Sequence, residues 1–404
     1  MPNVIDTNML FRQPEYALLI QSMLHNSEMT LRTSNPFEHD INWDYLLDTA
    51  DIHGLMPLLY LFLEKHHDET PKTILSQLHD RYQANSLRNR ILTSELVEVM
   101  QLLSTNGIKA LTYKGPSLTL LAYDDLSQRQ FGDLDILVKA EDVNKASDLL
   151  KQRHYSRAIP TLTPRQEEDF IHTAHEHTFI SPDQLIHIDL HWSPSNRRFP
   201  FQISTDELLQ RTQTYLWKER SISHMDVQDL MLILCMHANK DLWRKLVWIC
   251  DIDRLIRKHD DIDWKLLVHQ ARQTHCEKML YMALCIAHDL LNSPIPSAVL
   301  KSARKIAPLQ QGEKALQNCI SDTVPVKTFT ECLAIKPLIV SVCDTWTDRI
   351  YYIVRMLVTP TECDMMKIRI PPTWHFLYYL FTPVRKLSFC TARFFKRLIL
   401  NRGQ

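Results

Sequence analysis

The fold of this 404-residue chain is best deduced from one short stretch, GDLDILV at residues 132–138. Successive side chains of a β-strand point to opposite faces. Asp133 and Asp135 therefore share one face, and the aliphatic residues between and after them fill the other. Two carboxylates this close repel each other unless water solvates both or a divalent cation neutralises them. An isolated pair of this kind is more often the polar face of a surface strand than a metal site.

A second stretch, HIDLH at residues 187–191, changes this balance. Its polar and apolar residues alternate, so Asp189 shares a face with the two histidines that flank it. If this strand lies beside the first, Asp189 converges with Asp133 and Asp135. Two divalent cations at such a point would clamp the attacking and leaving oxygens of a phosphoryl displacement.

Upstream, the turn KGPS at residues 114–117 lies between a predicted strand over 108–113 and a predicted helix. A glycine turn before a helix lets backbone N–H groups approach phosphates, and the helix N-terminus favours negative charge. Lys114 would add a point charge and Ser117 a hydroxyl donor. Arg129 would reach a phosphate or anchor one of the acids. Taken alone, a Lys-Gly turn is more often an ordinary loop.

The remaining pattern predicts an α+β fold, with a small mixed sheet between two helical regions. Strands are predicted at 134–138 and 185–192, with a helix over 141–153 between them. The predicted regions are 1–106 (helical), 107–215 (the core), 216–360 (helical) and 361–404 (basic and rich in aromatic residues). Before the core, one buried helical stripe is predicted from the apolar spacing of Ala84, Leu87, Ile91, Leu92, Leu96, Val99, Met100 and Leu103.

Composition excludes several classes of protein. The net charge of -1 provides no global field toward nucleic acid, and no DNA partner is expected. The chain contains neither a GxGxxG fingerprint nor a GxxxxGK[ST] phosphate loop. All 9 cysteines lie between Cys235 and Cys390 without a CxxC pair, which is typical of reduced cysteines in a cytoplasmic protein. No signal peptide or transmembrane helix is predicted.

The order of these motifs resembles an under-characterised branch of the DNA polymerase β-like nucleotidyltransferase superfamily, found in bacterial biosynthetic gene clusters. The matching pieces are Tyr113-Lys114-Gly115, Arg129, 132–138 and 186–192. Weaker similarity extends over 234–251 and 371–385. The superfamily's usual turn is Gly-Ser or Gly-Gly, whereas this chain has Lys-Gly-Pro-Ser, so the phosphate contacts are less defined than the fold.

The resemblance implies a nucleotidyltransferase core and a site for Mg²⁺ or Mn²⁺. By it, Asp133 and Asp135 would bridge the metals, and Asp189 would complete the catalytic metal site and help activate an acceptor hydroxyl. Lys114, Gly115, Ser117 and Arg129 would bind the nucleoside triphosphate, such as ATP. The acceptor hydroxyl would attack the α-phosphorus and release pyrophosphate. The acceptor implied is an unidentified small molecule, peptide or protein.

Two other functions stay open at this point. One is a non-catalytic nucleotide-binding or scaffold protein of a biosynthetic pathway, and the other is a toxin-like transferase that modifies tRNA. A zinc hydrolase using His172, His175 and His177 is a weaker alternative, because no HExxH or CxxC accompanies them. His177 is also a candidate to orient the acids.

Two further segments carry weaker expectations. Core packing is the default for His237, Trp243 and Asp251, and lining of the nucleotide or acceptor pocket is the minority interpretation. The basic tail after Trp374 would form an amphipathic helix with Leu387, Phe394, Phe395 and Leu398 on one face. That helix would dock on the protein or a partner, or lie on a membrane surface, which would make the protein membrane-peripheral.

Overall fold

The computed structural model describes residues 4–24, 35–159, 163–320, 336–360, 374 and 377–386. The tail prediction for Leu387, Phe394, Phe395 and Leu398 lies outside the described residues.

The strands are β1 (Ala110–Thr112), β2 (Asp133–Val138), β3 (Ser156–Arg157), β4 (Glu176–Ile180), β5 (His187–His191), β6 (Gln213–Trp217) and β7 (Arg220–His224). The α-helices are α1 (Pro14–Met23), α2 (Trp43–His53), α3 (Met56–Lys65), α4 (Lys72–Thr105), α5 (Gly115–Ala122), α6 (Val143–Gln152), α7 (Pro164–Thr173), α8 (Thr205–Gln210), α9 (Val227–Lys240), α10 (Val247–Lys258), α11 (Trp264–Gln273), α12 (Glu277–Leu291), α13 (Ser297–Ile306), α14 (Leu309–Ile320), α15 (Pro337–Val342) and α16 (Trp346–Val358). Residues 377–386 are also helical.

The described strands form one mixed sheet in the order β3-β4-β5-β2-β1-β7-β6. β2 pairs in parallel with β5, and β1 pairs in parallel with β7, while the other neighbours are antiparallel. The predicted α+β fold, with a mixed sheet between helical regions, is confirmed. The sheet continues to His224, past the predicted end of the core at 215, and the division into four regions stays a prediction.

Each face of the sheet covers its own hydrophobic core. Leu134, Ile136 and Val138 of β2 are fully buried against the second half of α4 and against α6. Leu111 and Leu137 face the larger core, which joins the N-terminal helices to α5, α9, α10 and α12. The alternation predicted for β2 therefore follows from two cores on opposite sides of one strand.

The helical stripe predicted before the core is correct only in its second half. Leu92, Leu96, Val99, Met100 and Leu103 are buried, whereas Ala84 is exposed and Leu87 and Ile91 are 62% and 52% exposed. In the middle of α4 a polar side faces inward instead. The amide of Asn89 donates to the carbonyls of Leu126 and Arg129 at 2.6 and 2.8 Å. Hydrogen bonds to a loop thus replace apolar contacts where α4 passes the turn before β2.

None of the described helices is both long enough and apolar enough to cross a membrane.

Candidate active site

The pairing of β2 with β5 brings the predicted acids together. Asp135 lies directly opposite Asp189 in the parallel register, and Asp133 lies opposite His187. Because side chains alternate along both strands, the three aspartates share one face of the sheet. Ligand atoms of Asp135, Asp189 and His191 lie within 4.8 Å of one another. Asp133 is solvent-exposed at the start of β2.

Asp135 is the buried centre of this group, with 2% of its surface exposed. Its Oδ1 accepts hydrogen bonds from Lys114 Nζ at 3.3 Å and from His191 Nε2 at 3.0 Å. Its Oδ2 has no hydrogen-bond partner among the described residues. Burial opposes ionisation, but Lys114 and His191 outweigh it and hold the pKa of Asp135 below its usual value. Asp135 is therefore a carboxylate with one oxygen left for a further ligand.

The negative charges of Asp189 and Asp133 are less well compensated than that of Asp135. The Thr178 hydroxyl donates to Asp189 Oδ1 at 2.7 Å. Burial nevertheless raises the pKa of Asp189, and the negative charge of Asp135 adds to this. Desolvation by the surrounding protein, together with the charge of Asp135, also raises the pKa of Asp133. Added positive charge would relieve both shifts.

The turn before α5 fits tightly against β2. Gly115 has a φ of +49°, and a Cβ added to it would lie 2.9 Å from the carbonyl oxygen of Asp133. A glycine is therefore required here for both reasons, and it brings Lys114 to Asp135. Burial lowers the pKa of Lys114, but Asp135 and Asp133 outweigh it and raise the pKa overall. Ser117 is fully buried, with its hydroxyl 3.2 Å from the hydroxyl of Tyr215.

Arg129 anchors an acid, but the acid is Asp251 of α10 rather than one of the three aspartates. Its Nε and Nη2 donate to the two carboxylate oxygens at 2.7 and 2.9 Å. The Tyr123 hydroxyl donates to Oδ1 of the same carboxylate at 2.7 Å. Arg129 is only 8% exposed, so phosphate binding would require it to leave this pair. Its predicted place among the nucleotide-binding residues stays a prediction.

The three histidines of the weaker zinc hypothesis do not form one group of ligand atoms among the described residues. His172 is exposed on α7, and His177 is buried, with Nε2 2.7 Å from Glu167 Oε1. Among the described contacts, none joins His177 to Asp133, Asp135 or Asp189, so its suggested part in orienting the acids is not seen.

Sequence reasoning missed the parts of the site that lie on β4. Glu176 and Thr178 pair with His191 and Asp189, so they share the face of the three acids. The alternation of EHTFI at 176–180 is the sequence signal that predicts a strand with Glu176 and Thr178 on one face. Alternation predicts the face of His191, and the structure adds its direct contact with Asp135.

The downstream helices cover the site from one side. His237 of α9 packs edge-on against Trp248, with ring centroids 5.3 Å apart. Burial, with the charges of Lys114 and Lys240 nearby, lowers the pKa of His237 well below its usual value. Trp243 is fully buried and Asp251 pairs with Arg129, as their default packing interpretation expects.

Comparison with known proteins gives this architecture a family. Residues 39–292 match a family described as "Uncharacterised nucleotidyltransferase". The chain belongs to this family. The match supports nucleotidyl transfer as the general class of activity, and the predicted resemblance to nucleotidyltransferases is confirmed at that level.

Two other comparisons add no further evidence of function. A crystal structure described as an antigenic nucleotidyltransferase-like protein from Paracoccidioides brasiliensis matches with a TM-score of 0.32 and 16% identity, over 54% of this chain and 93% of that chain. No curated protein sequence matches this chain significantly.

Proposed function

We propose that this family member is a metal-dependent nucleotidyltransferase that moves a nucleoside monophosphate from a triphosphate such as ATP to an acceptor hydroxyl, with release of pyrophosphate. The observation that carries the proposal is the unpaired Oδ2 of Asp135, buried opposite Asp189 and beside Asp133. A buried carboxylate oxygen without a partner is costly, and such atoms cluster at functional sites.

The donor set fits Mg²⁺ or Mn²⁺. Both ions prefer carboxylate oxygens, and Asp133, Asp135 and Asp189 supply them from two adjacent strands. Asp135 would bind through Oδ2, because Lys114 and His191 already occupy Oδ1. A divalent cation held there supplies charge neutralisation at the phosphate oxygens.

The chain's own groups then divide the remaining work. Lys114 places a positive charge between Asp135 and the start of α5, where a triphosphate would meet the helix N-terminus. Asp189 would accept the proton of the acceptor hydroxyl as the oxygen attacks the α-phosphorus. The bond from that phosphorus to the bridging oxygen of pyrophosphate breaks, and pyrophosphate leaves. A raised pKa suits Asp189 for this proton transfer better than an ordinary aspartate.

We propose that the acceptor hydroxyl belongs to a small molecule, a peptide or a protein of a biosynthetic pathway. We place the reaction in the cytoplasm, in keeping with the buried free thiols of the described core.

The test is pyrophosphate release from labelled triphosphates in Mg²⁺ or Mn²⁺, with a panel of acceptors and with the protein itself as acceptor. Losing a cation-dependent stabilisation of several kcal/mol lowers the rate by roughly 100-fold or more, and we expect this for Asp135→Asn and Asp189→Asn. Asp148→Asn is the matched control, because Asp148 is an exposed acid on α6 paired only with Lys151 among the described ion pairs. Full activity in Asp189→Asn would contradict the proposal. Nucleotide binding without pyrophosphate release would favour a non-catalytic binder.

A further inference from the structure

A second group of ligand atoms lies beside the aspartates and shares only His191 with them. It comprises His175, Glu176 and His191, whose ligand atoms also lie within 4.8 Å of one another. Glu176 Oε2 is 3.4 Å from His175 Nε2 and 3.1 Å from His191 Nδ1. His175 ends the connection after α7, and Glu176 begins β4, so a bend turns both side chains toward β5.

The orientation of His191 requires explanation. Its Nε2 lies 3.0 Å from Asp135 Oδ1, which places the ring proton on that nitrogen in the neutral form. In that form Nδ1 presents a lone pair to the carboxylate of Glu176 at 3.1 Å, and two acceptors facing each other require either a proton or a metal cation between them. His191 is 3% exposed, and in the described part of the chain its Nδ1 has no hydrogen-bond partner, although Glu176 is near. A cation between Nδ1 and the carboxylate would satisfy both.

We propose that His175, Glu176 and His191 form a second cation site, for a zinc-type divalent ion, next to the oxygen-lined aspartate site. Two imidazoles and one carboxylate are the donors of many catalytic zinc sites and suit nitrogen-preferring ions rather than Mg²⁺. Zinc–nitrogen bonds of about 2.0–2.1 Å place adjacent tetrahedral ligands about 3.3 Å apart. The separations of 3.4 and 3.1 Å already match this spacing.

The site would couple to the aspartates through one ring. Asp135, His191 and the cation form a carboxylate–histidine–metal chain, in which the carboxylate fixes the tautomer of the ligand. The positive charges of Lys114 and Lys240 oppose the ion, while Asp135 and Glu176 favour it. The site does not require nucleotidyl transfer, because His175 and Glu176 lie outside the aspartate group.

The experiment is a titration of the metal-free full-length protein with Co²⁺, in excess Mg²⁺ to occupy the oxygen-lined site. Tetrahedral nitrogen-bound Co²⁺ gives an intense visible absorption band, which octahedral oxygen-bound Co²⁺ lacks. We expect the band in the unaltered protein and its loss in His175→Gln and Glu176→Gln. His172→Gln is the matched control, because His172 is an exposed histidine three residues upstream of His175. It should keep the band.

Two further variants separate this site from its neighbour and from misfolding. Asp189→Asn should keep the band, since Asp189 belongs only to the aspartate group. His175→Cys should restore tetrahedral cobalt binding and add a thiolate-to-metal charge-transfer band while its circular dichroism spectrum matches that of the unaltered protein, because a misfolded chain would expose its buried free cysteines as alternative thiolate ligands. The proposal is overturned if the unaltered protein gives no tetrahedral band, if His175→Gln keeps it, or if His172→Gln and Asp189→Asn lose it equally. It is also overturned if His175→Cys shows no thiolate band. Pyrophosphate release plays no part in these readings, so failure here is distinguishable from failure of the proposed activity.

Discussion

Asp251 and Asp135 are both buried aspartates beside basic residues, yet their surroundings differ in one respect. Asp251 is fully buried, and donors engage both of its oxygens: Arg129 in a two-point contact, and Tyr123 at Oδ1. Asp135 is nearly as buried, but Lys114 and His191 both donate to Oδ1, and Oδ2 has no hydrogen-bond partner in the described part of the chain. Asp251 pairs directly with the guanidinium of Arg129, whereas Asp135 lies beside two further carboxylates, Asp133 and Asp189.

This difference distinguishes an aspartate that stabilises the fold from aspartates that are suited to binding a cation. A buried carboxylate that is paired and fully hydrogen-bonded stabilises the fold only while its partner stays in place, because an unpaired charge is costly to bury. Asp189, a carboxylate beside Asp135 whose pKa is raised, instead costs free energy in the absence of a cation, and binding of a cation would offset that cost. The two clusters should therefore respond in opposite directions to loss of charge.

The largest effect is expected at the Asp251 cluster. Arg129→Met removes the partner of a fully buried carboxylate, and breaking such a pair typically costs about 3–5 kcal/mol. The free energy of unfolding, measured by urea denaturation, should fall by that order. Arg129→Lys should recover only part of the loss, since lysine lacks the planar fork that matches both oxygens.

Asp189→Asn supplies the opposing measurement. In cation-free buffer its free energy of unfolding should equal or exceed that of the unaltered protein, because a carboxylate facing Asp135 is removed. The comparison fails if Arg129→Met is stable and loses only activity, or if Asp189→Asn is as unstable as Arg129→Met. The first of these outcomes would return Arg129 to the nucleotide-binding residues.

Strand alternation predicted which face of its own strand each aspartate occupies, and their convergence was predicted only on the condition that the two strands are neighbours. The pairing of β2 with β5 in the structure meets that condition. Lys114 also lies between a strand and a helix, β1 and α5, as its turn predicted. The partner of Arg129 could not be predicted, since Asp251 is far along the chain and only the packing of α10 against α5 brings it near. The polar side of α4 was missed for a similar reason. Asn89 is buried by hydrogen bonds to a loop, which apolar periodicity does not register.

A smaller effect is expected at the turn that holds Lys114 against β2. Gly115→Ala combines a left-handed backbone, which costs about 1–2 kcal/mol for a residue with a Cβ, with a contact of 2.9 Å to the backbone of Asp133. Gly107→Ala is the matched control: its φ is +73°, but a Cβ there meets nothing within 4 Å. Gly115→Ala should therefore lose more stability in urea denaturation, and should also weaken Mg²⁺-dependent nucleotide binding. If the two variants lost equal stability and Gly115→Ala still bound nucleotide with Mg²⁺, the close contact at Gly115 would have no part in positioning Lys114 against Asp135.

The smallest effect is a pH dependence that should appear only at the aspartate site. The pKa of Asp189 is raised in the folded protein, so folding favours its protonated form. Its contribution to stability is therefore present below the unfolded pKa of about 3.9 and is lost as pH rises through the folded pKa. Asp189→Asn lacks this loss.

The stability difference between Asp189→Asn and the unaltered protein should accordingly be near zero in acid, grow as pH rises through the folded pKa of Asp189, and then level off. Urea denaturation at a series of pH values in cation-free buffer measures this curve. Saturating Mg²⁺ should reverse the sign at neutral pH, because the cation binds the ionised carboxylate that asparagine lacks. A difference that is constant across pH, or that ignores Mg²⁺, would place Asp189 with Asp251 among the acids that only support the fold.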